Sequence, residues 1–160
     1  MGKKNITFTK SDGSMAFLMP SEKFLEQYET EEAGLNALIQ KDIPEALRSS
    51  AKIVENSALP VSRKFRNAWK QNDTAVVEDM TKARAIHLDR IREYRNAELV
   101  KEDVNYQRAL EANDADSQSA VATKKQTLRD LPATFNLSGA TNGAELDALW
   151  PSELPERADD

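Results

Sequence analysis

The sequence contains no cysteine, and this absence excludes disulfide bonds, thiolate metal ligands and cysteine nucleophiles. Glycine is scarce, with five residues in 160, and neither a G-x-x-x-x-G-K-[ST] loop nor a G-x-G-x-x-G fingerprint occurs. The sequence therefore lacks the glycine-rich turns that cradle phosphate groups in nucleotide-binding proteins. Nowhere do about 18 apolar residues stand together, so we expect no segment that spans a membrane.

Histidine occurs once, as His87. A single histidine without cysteine could hold zinc only if carboxylates completed the site, and no G-x-S-x-G elbow accompanies it. We therefore expect His87 to be a partly exposed helix residue that hydrogen-bonds or packs. Adjacent acids such as Glu102 and Asp103 would point about 100° apart on a helix, so we expect them on solvated faces. These patterns predict no enzymatic activity, no cofactor and no metal.

The composition is that of a rather polar globular protein. Hydrophobic residues make up 39% and charged residues 31% of the 160-residue chain. A chain of this length buries about 70% of its unfolded surface, so it can fold without a metal or a disulfide. The net charge of −5 argues against binding to nucleic acid by the protein as a whole. From Asn136 onward the chain has six acidic residues against one basic residue, Arg157, and we expect this acidic tail to form a solvated end.

The first part of the chain, residues 1–78, shows the pattern of a small antiparallel sheet with one or two helices. ITFTK and MAFLM read as strands, and SDGS between them supplies a turn in which Gly13 takes positive φ. Ser21 and Thr30 are predicted to cap two helices. KIVE and TAVVED read as further strands. Four or five strands are expected in one sheet.

The segment LPVSRKFRNAWKQ, Leu59 to Gln71, combines basic and aromatic residues without an acid. Alternation predicts a strand over Arg63 to Lys70, with Phe65, Asn67 and Trp69 on one face. The bases would then stand on the opposite face from the aromatics. This arrangement argues against nucleic-acid binding, in which bases stack on aromatic rings beside phosphate-binding cations. The sequence instead predicts that Phe65 and Trp69 turn into a core against the helices.

The second part, residues 79–132, is predicted to be a long antiparallel helical hairpin. Asp79 or Thr81 caps a first helix that runs to about Ala112 without glycine or proline. Its apolar register drifts near Arg95, which predicts a bend or a change of packing partner. A second helix follows from about Ala115 and ends at Pro132. The tail, residues 133–160, is predicted to hold one short helix from Ala144 to Trp150, ended by Pro151.

Several motifs resemble those of small tail-region proteins of tailed bacteriophages and prophages. They are FRNAW at 65–69, KARAIHLDRIR at 82–92 and KQTLRDLP at 125–132, and the resemblance extends over about 6–155. Members of this family resemble tail fibre assembly proteins or virion-associated proteins. The resemblance implies a location in the phage tail and in the host cytoplasm during assembly, and it implies no catalytic residues.

The sequence therefore predicts an α+β protein that acts as a structural, non-enzymatic interaction element in a phage tail. The expected partners are tail or tail-fibre proteins and further copies of the chain, because two helices alone expose more apolar side chains than they bury. The residues expected to mediate contacts are Ile91, Tyr94, Leu99, Val104, Leu110, Phe65, Trp69 and Trp150. Two alternatives remain open: a transient tail fibre assembly chaperone, and a host-directed regulator or nucleic-acid binder.

Overall fold

The computed structural model describes residues 4–73 and 75–157. It confirms the predicted α+β class, with a small antiparallel sheet followed by a long helical pair. The chain forms two compact units, one reaching Ala83 and the other beginning at Arg84.

The elements follow one another in the order β1–β2–α1–α2–α3–β3–β4–β5–α4–α5–α6. The strands are β1 (Lys4–Thr9), β2 (Met15–Leu18), β3 (Lys52–Glu55), β4 (Trp69–Asn72) and β5 (Ala75–Glu78). The helices are α1 (Glu22–Leu25), α2 (Glu31–Asp42), α3 (Glu45–Arg48), α4 (Met80–Glu111), α5 (Ala115–Thr134) and α6 (Gly143–Ala148). Two single 3₁₀ turns, Asn56–Ala58 and Arg66–Ala68, lie between β3 and β4.

In the first unit, a three-stranded antiparallel sheet has the order β2-β1-β3. Alternation along β1 divides its side chains between two layers. Ile6 packs with Leu35 and Leu38 of α2 in one core. Asn5 and Thr7 face the other way and are buried as well, and the Thr7 hydroxyl oxygen accepts a hydrogen bond from Gln71 at 2.5 Å. The sheet is therefore covered on both faces.

The second layer is the β4–β5 hairpin, which forms a separate two-stranded sheet. Trp69 packs there with Val54 and Val76, and its ring meets Phe17 edge-on with 5.4 Å between centroids. The prediction of one sheet with four or five strands is therefore corrected: residues 4–73 and 75–157 contain five strands in two sheets. The predicted packing of Trp69 against helices is also wrong, since its core neighbours lie on strands.

The local turn and capping signals are confirmed. Gly13 has a φ of 79°, in the left-handed region that glycine enters without steric cost. The side chains of Ser21 and Thr30 accept hydrogen bonds from the backbone N–H groups of Phe24 and Ala33, as N-caps do. Asp79 accepts from the N–H groups of residues 81 and 82 at the start of α4, both at 3.1 Å.

The predicted strand over Arg63 to Lys70 is wrong for most of its length. The chain makes a 3₁₀ turn at Arg66–Ala68, and β4 begins only at Trp69. The buried positions are Phe65, Ala68 and Trp69, while Asn67 is exposed. This spacing of three and four is that of a turn of helix, and it overrides the alternation that suggested a strand.

In the second unit, α4 and α5 form the predicted antiparallel hairpin. The connection turns at Asn113, whose φ is 52°, and the Asp114 carboxylate accepts a hydrogen bond from the backbone N–H of Ser117 at 3.0 Å. The predicted end of α5 at Pro132 is wrong, because the helix continues to Thr134. Proline removes one backbone donor there, and the next turn is still closed by the Phe135 N–H, which donates to the Leu131 carbonyl at 2.9 Å.

The C-terminal segment contains the predicted short helix, but with different bounds. α6 spans Gly143–Ala148 and is capped by Asn142, whose side chain accepts from the Glu145 N–H at 2.9 Å. The helix therefore ends before Trp150 and before Pro151. The buried residues of this segment include Leu146 and Leu154, which form part of the core of the second unit.

Candidate functional site

Three of the residues predicted to mediate contacts are core positions. Phe65 and Ile91 are completely buried, and Trp69 is 5% exposed. A side chain without accessible surface cannot dock on a partner while the chain stays folded. These three residues therefore stabilise the fold, and the other five remain the candidates for an interaction surface.

In the second unit, Tyr94 of α4 and Trp150 of the C-terminal segment belong to one aromatic cluster. The Trp150 ring lies edge-on to His87 and to Tyr94, with centroids 5.9 and 5.1 Å away. The guanidinium of Arg157 lies 4.8 Å from the centre of the same indole, and the indole N–H donates to the Pro155 carbonyl. The cluster attaches the C-terminal segment to α4.

His87 is buried at the base of this cluster, so the prediction of a partly exposed histidine is wrong. Its hydrogen bond and its packing are confirmed: the Nε2 atom lies 2.7 Å from the Leu149 carbonyl, to which it donates. Burial lowers the pKa of His87, because the charged imidazolium loses its hydration. The histidine therefore has a structural position, in which the neutral ring is favoured.

Beyond Arg95, α4 changes its packing partner from the C-terminal segment to α5. The Glu102 carboxylate accepts a 2.6 Å hydrogen bond from the Lys124 ammonium, and Lys125 pairs with Asp103 at 2.5 Å. The side chain of Glu102 is only 6% exposed, which corrects its predicted placement on a solvated face. The hydrogen bond from Lys124 lowers the pKa of Glu102. The register drift seen in the sequence corresponds to this change of partner.

Apolar burial between the two helices decreases toward their connecting turn. Far from the connecting turn, Leu128 and Leu131 of α5 are 1% and 4% exposed. Near the turn, the buried apolar residue of α4 is Ala109, a small side chain. Leu110 is 46% exposed there and does not join a core. The hairpin therefore ends in an arm held mainly by ion pairs and small residues.

The outer face of α4 carries an apolar stripe that points away from α5. Glu102 marks the side that meets α5, and Val100 and Val104 lie two residues before and after it, each about 200° around the helix. Val100 is 64% exposed and Val104 is 46% exposed. Ala97, one turn earlier, is exposed as well. We call Ala97, Val100 and Val104 the outer stripe.

The structure thus separates the predicted contact residues into different faces. Val104 belongs to the outer stripe, whereas Leu99 is half-buried and lies one residue earlier than Val100 on the helix. Leu110 follows Val104 by six residues, which places it about 240° around the helix. The residues predicted from the sequence included Leu99 but neither Ala97 nor Val100. The spacing of three and four between Ala97, Val100 and Val104 is the signal that identifies the stripe.

A concave surface lies in the first unit and includes Lys4 and Asn5, at the start of β1, in its lining. It has a volume of about 790 Å³, and its lining includes Arg63 of the LPVSRKF segment, Lys4, Glu26 and Glu31. Lys4 lies 3.9 Å from Glu31. The groove is lined by cations, Lys4 and Arg63, and by carboxylates, Glu22, Glu26 and Glu31, so its charge does not favour one class of ligand. The outer stripe is the better defined surface.

Within residues 4–73 and 75–157, no three metal-ligating side chains come together. In the same part of the chain, no helix combines the length and the hydropathy that crossing a membrane requires. No protein-family model matches the chain, and no curated protein or solved structure matches it either.

Proposed function

We propose that this protein is a non-enzymatic interaction element of a bacteriophage tail and that it docks through the outer stripe of α4. The observation that carries the docking function is the exposure of Val100 and Val104 on the side of α4 opposite α5. The location in a phage tail is supported by the motifs FRNAW, KARAIHLDRIR and KQTLRDLP, which resemble those of tail-region proteins.

Burial of the outer stripe would supply a favourable free energy of association. A fully buried valine contributes about 1.5–3 kcal/mol relative to an exposed one. Val100 and Val104 retain much of their exposed surface, so each has part of that free energy still to gain on binding. Neighbouring polar side chains, including Lys101 and Arg108, would surround the buried patch as a hydrated rim.

The location is tested by mass spectrometry of purified phage particles that carry the wild-type chain or Val104→Asp. A structural tail protein should be found in particles at a fixed copy number, and Val104→Asp should lower its incorporation without lowering its level in the cell. A matched variant, Asp103→Asn, changes an adjacent exposed residue off the stripe and should leave incorporation unchanged.

The result also separates the alternatives. Recovery of the chain from infected cells but not from purified particles would identify an assembly chaperone. Affinity for DNA or RNA that falls steeply with salt would identify a nucleic-acid binder. Normal incorporation of Val104→Asp would rule out the outer stripe as the docking surface.

A further inference from the structure

We propose that the outer stripe pairs with the outer stripe of a second copy of this chain, with the two α4 helices antiparallel. The inference rests on the proposed docking function of the stripe and adds the identity and the direction of its partner. Three features of α4 lead to it: the spacing of the apolar residues, the charges at the two ends of the stripe, and the position of α5.

The spacing is that of a helix that packs along another helix. Ala97, Val100 and Val104 are separated by three and then four residues, as the a and d positions of a heptad are. One turn before the stripe stands Glu93, and one turn after it stands Arg108. The apolar stripe is therefore bounded by a negative charge at its N-terminal end and a positive charge at its C-terminal end.

Both of these charged residues are available for a partner. Glu93 and Arg108 are exposed, and within the described part of the chain neither side chain takes part in a hydrogen bond or an ion pair. Several other charged residues of the helix are paired, as Asp89 is with Arg92 at 2.7 Å. The two ends of the stripe thus carry opposite charges that the fold itself leaves uncompensated.

The order of these charges selects the antiparallel direction. In a parallel pair, Glu93 would face Glu93 of the second copy and Arg108 would face Arg108, which places like charges together. With a two-fold axis between positions 100 and 101, Glu93 faces Arg108 of the second copy at both ends. Ala97 then faces Val104 of the second copy, and a small residue opposite a larger one allows close approach of the helices.

Among the described residues of the second unit, α5 and the C-terminal segment leave the stripe accessible, since Ala97, Val100 and Val104 are all exposed. Lys124 of α5 reaches α4 through Glu102, about 200° around the helix from Val100, and Lys125 pairs with Asp103 on the flank between these two faces. The span from Glu93 to Arg108 is about 22 Å along the helix axis. A pair of helices in contact over that length buries less surface than a standard interface of about 1,600 Å², so we expect a dimer of moderate, micromolar affinity.

Sedimentation velocity of the full chain over a range from about 1 to 500 μM tests the proposal, with charge reversals as the decisive variants. Glu93→Arg and Arg108→Glu should each raise the dimer dissociation constant roughly five- to thirtyfold, because each places like charges together twice per dimer. The double reversal should restore the wild-type dissociation constant. Arg66→Glu, an exposed reversal in the first unit, is the matched control and should have no effect.

The absence of cysteine allows a direct test of direction. Ala97→Cys and Val104→Cys chains should form a disulfide with each other when they are mixed and oxidised, and each alone should remain largely uncrosslinked. Crosslinking of Ala97→Cys with itself would indicate a parallel pair and overturn the proposed direction.

A wild-type chain that stays monomeric at the highest concentration would overturn the second copy as the occupant. If that monomer still enters phage particles and Val104→Asp does not, the docking function stands and the stripe binds a different tail protein. If neither chain enters particles, the proposed function fails as well. Failure to recover affinity in the double reversal would overturn the antiparallel charge pairing.

Discussion

The assignment of Ile91 to the core and of Val104 to the surface predicts very different effects of truncation. Ile91 is 0% exposed and Val104 is 46% exposed, although both lie on α4. Ile91→Ala removes three buried carbon atoms and leaves a cavity, which costs about 2–5 kcal/mol. Val104→Ala removes partly hydrated atoms and introduces a better helix former, so its effect should lie within about 0.5 kcal/mol.

The two tryptophans make this measurement specific to one unit. Trp69 lies in the first unit and Trp150 in the second. A Trp69→Phe background therefore leaves Trp150 as the emission reporter for the unit that contains Ile91. In urea titrations at chain concentrations well below the expected micromolar dissociation constant of the dimer, Ile91→Ala should lower the midpoint with little change in slope. In a unit of this size, a loss of about 3 kcal/mol corresponds to a fall of roughly 12–24 °C in Tm.

Two results would refute this reasoning. Equal losses for Ile91→Ala and Val104→Ala would mean that both faces of α4 are buried. A negligible loss for Ile91→Ala would mean that this side chain does not lie in a close-packed core. Far-UV circular dichroism of the Trp69→Phe background, which should match the wild type, serves as the control for the reporter.

Three further outcomes concern individual contacts. Because burial lowers the pKa of His87, the unfolded state binds a proton more readily than the folded state. The free energy of unfolding should therefore fall as pH decreases from about 7 to 5.5, and in urea titrations His87→Gln should make it less dependent on pH. Lys124→Gln leaves the buried Glu102 without its main partner and should lower the free energy of unfolding by about 1–3 kcal/mol. Asp103→Asn changes a carboxylate that is 61% exposed and should lower it by less than about 1 kcal/mol; thermal melting measures both losses. Asn113→Ala should cost about 1–2 kcal/mol at its φ of 52°, while Asn113→Gly should be neutral or stabilising, as measured by chemical denaturation.

The sequence predicted those features that depend on neighbouring residues. Gly13 sets its turn through its own φ, and Ser21, Thr30 and Asp79 cap helices through N–H groups two or three residues away. Such interactions act within one turn of the chain, so their residue types are sufficient evidence. The β1–β2 hairpin and the long helical hairpin also followed from periodicity and from the turns at Gly13 and Asn113.

The errors arose where distant contacts decide the structure. The spacing of Phe65 and Trp69 fits a strand, but together with Ala68 it also fits a helical turn. The packing of Trp69 on Val54 and Val76 selects the turn. His87 was expected to be partly exposed because its burial depends on Leu149 and the neighbouring Trp150, more than sixty residues later.

For the interaction surface, the sequence identified the helix but not the face. Leu99 and Val100 are adjacent, and periodicity alone did not determine which of them meets α5. The pairing of Glu102 with Lys124 fixes the rotation of α4 and places Val100 outward. A charged residue was thus the marker of the inner face, which a search for apolar residues alone does not detect.

The decrease in apolar burial along the α4–α5 hairpin has a consequence for its dynamics. Amide hydrogens near Leu128 and Leu131 lie beside a close-packed core and should exchange with solvent only through large-scale opening. Those near Ala109 are protected by a small side chain and by ion pairs, so they should exchange through local fraying of much lower free energy. Protection factors should therefore decrease steadily along α4 toward the turn, and added salt should steepen that gradient by screening the lysine–carboxylate pairs.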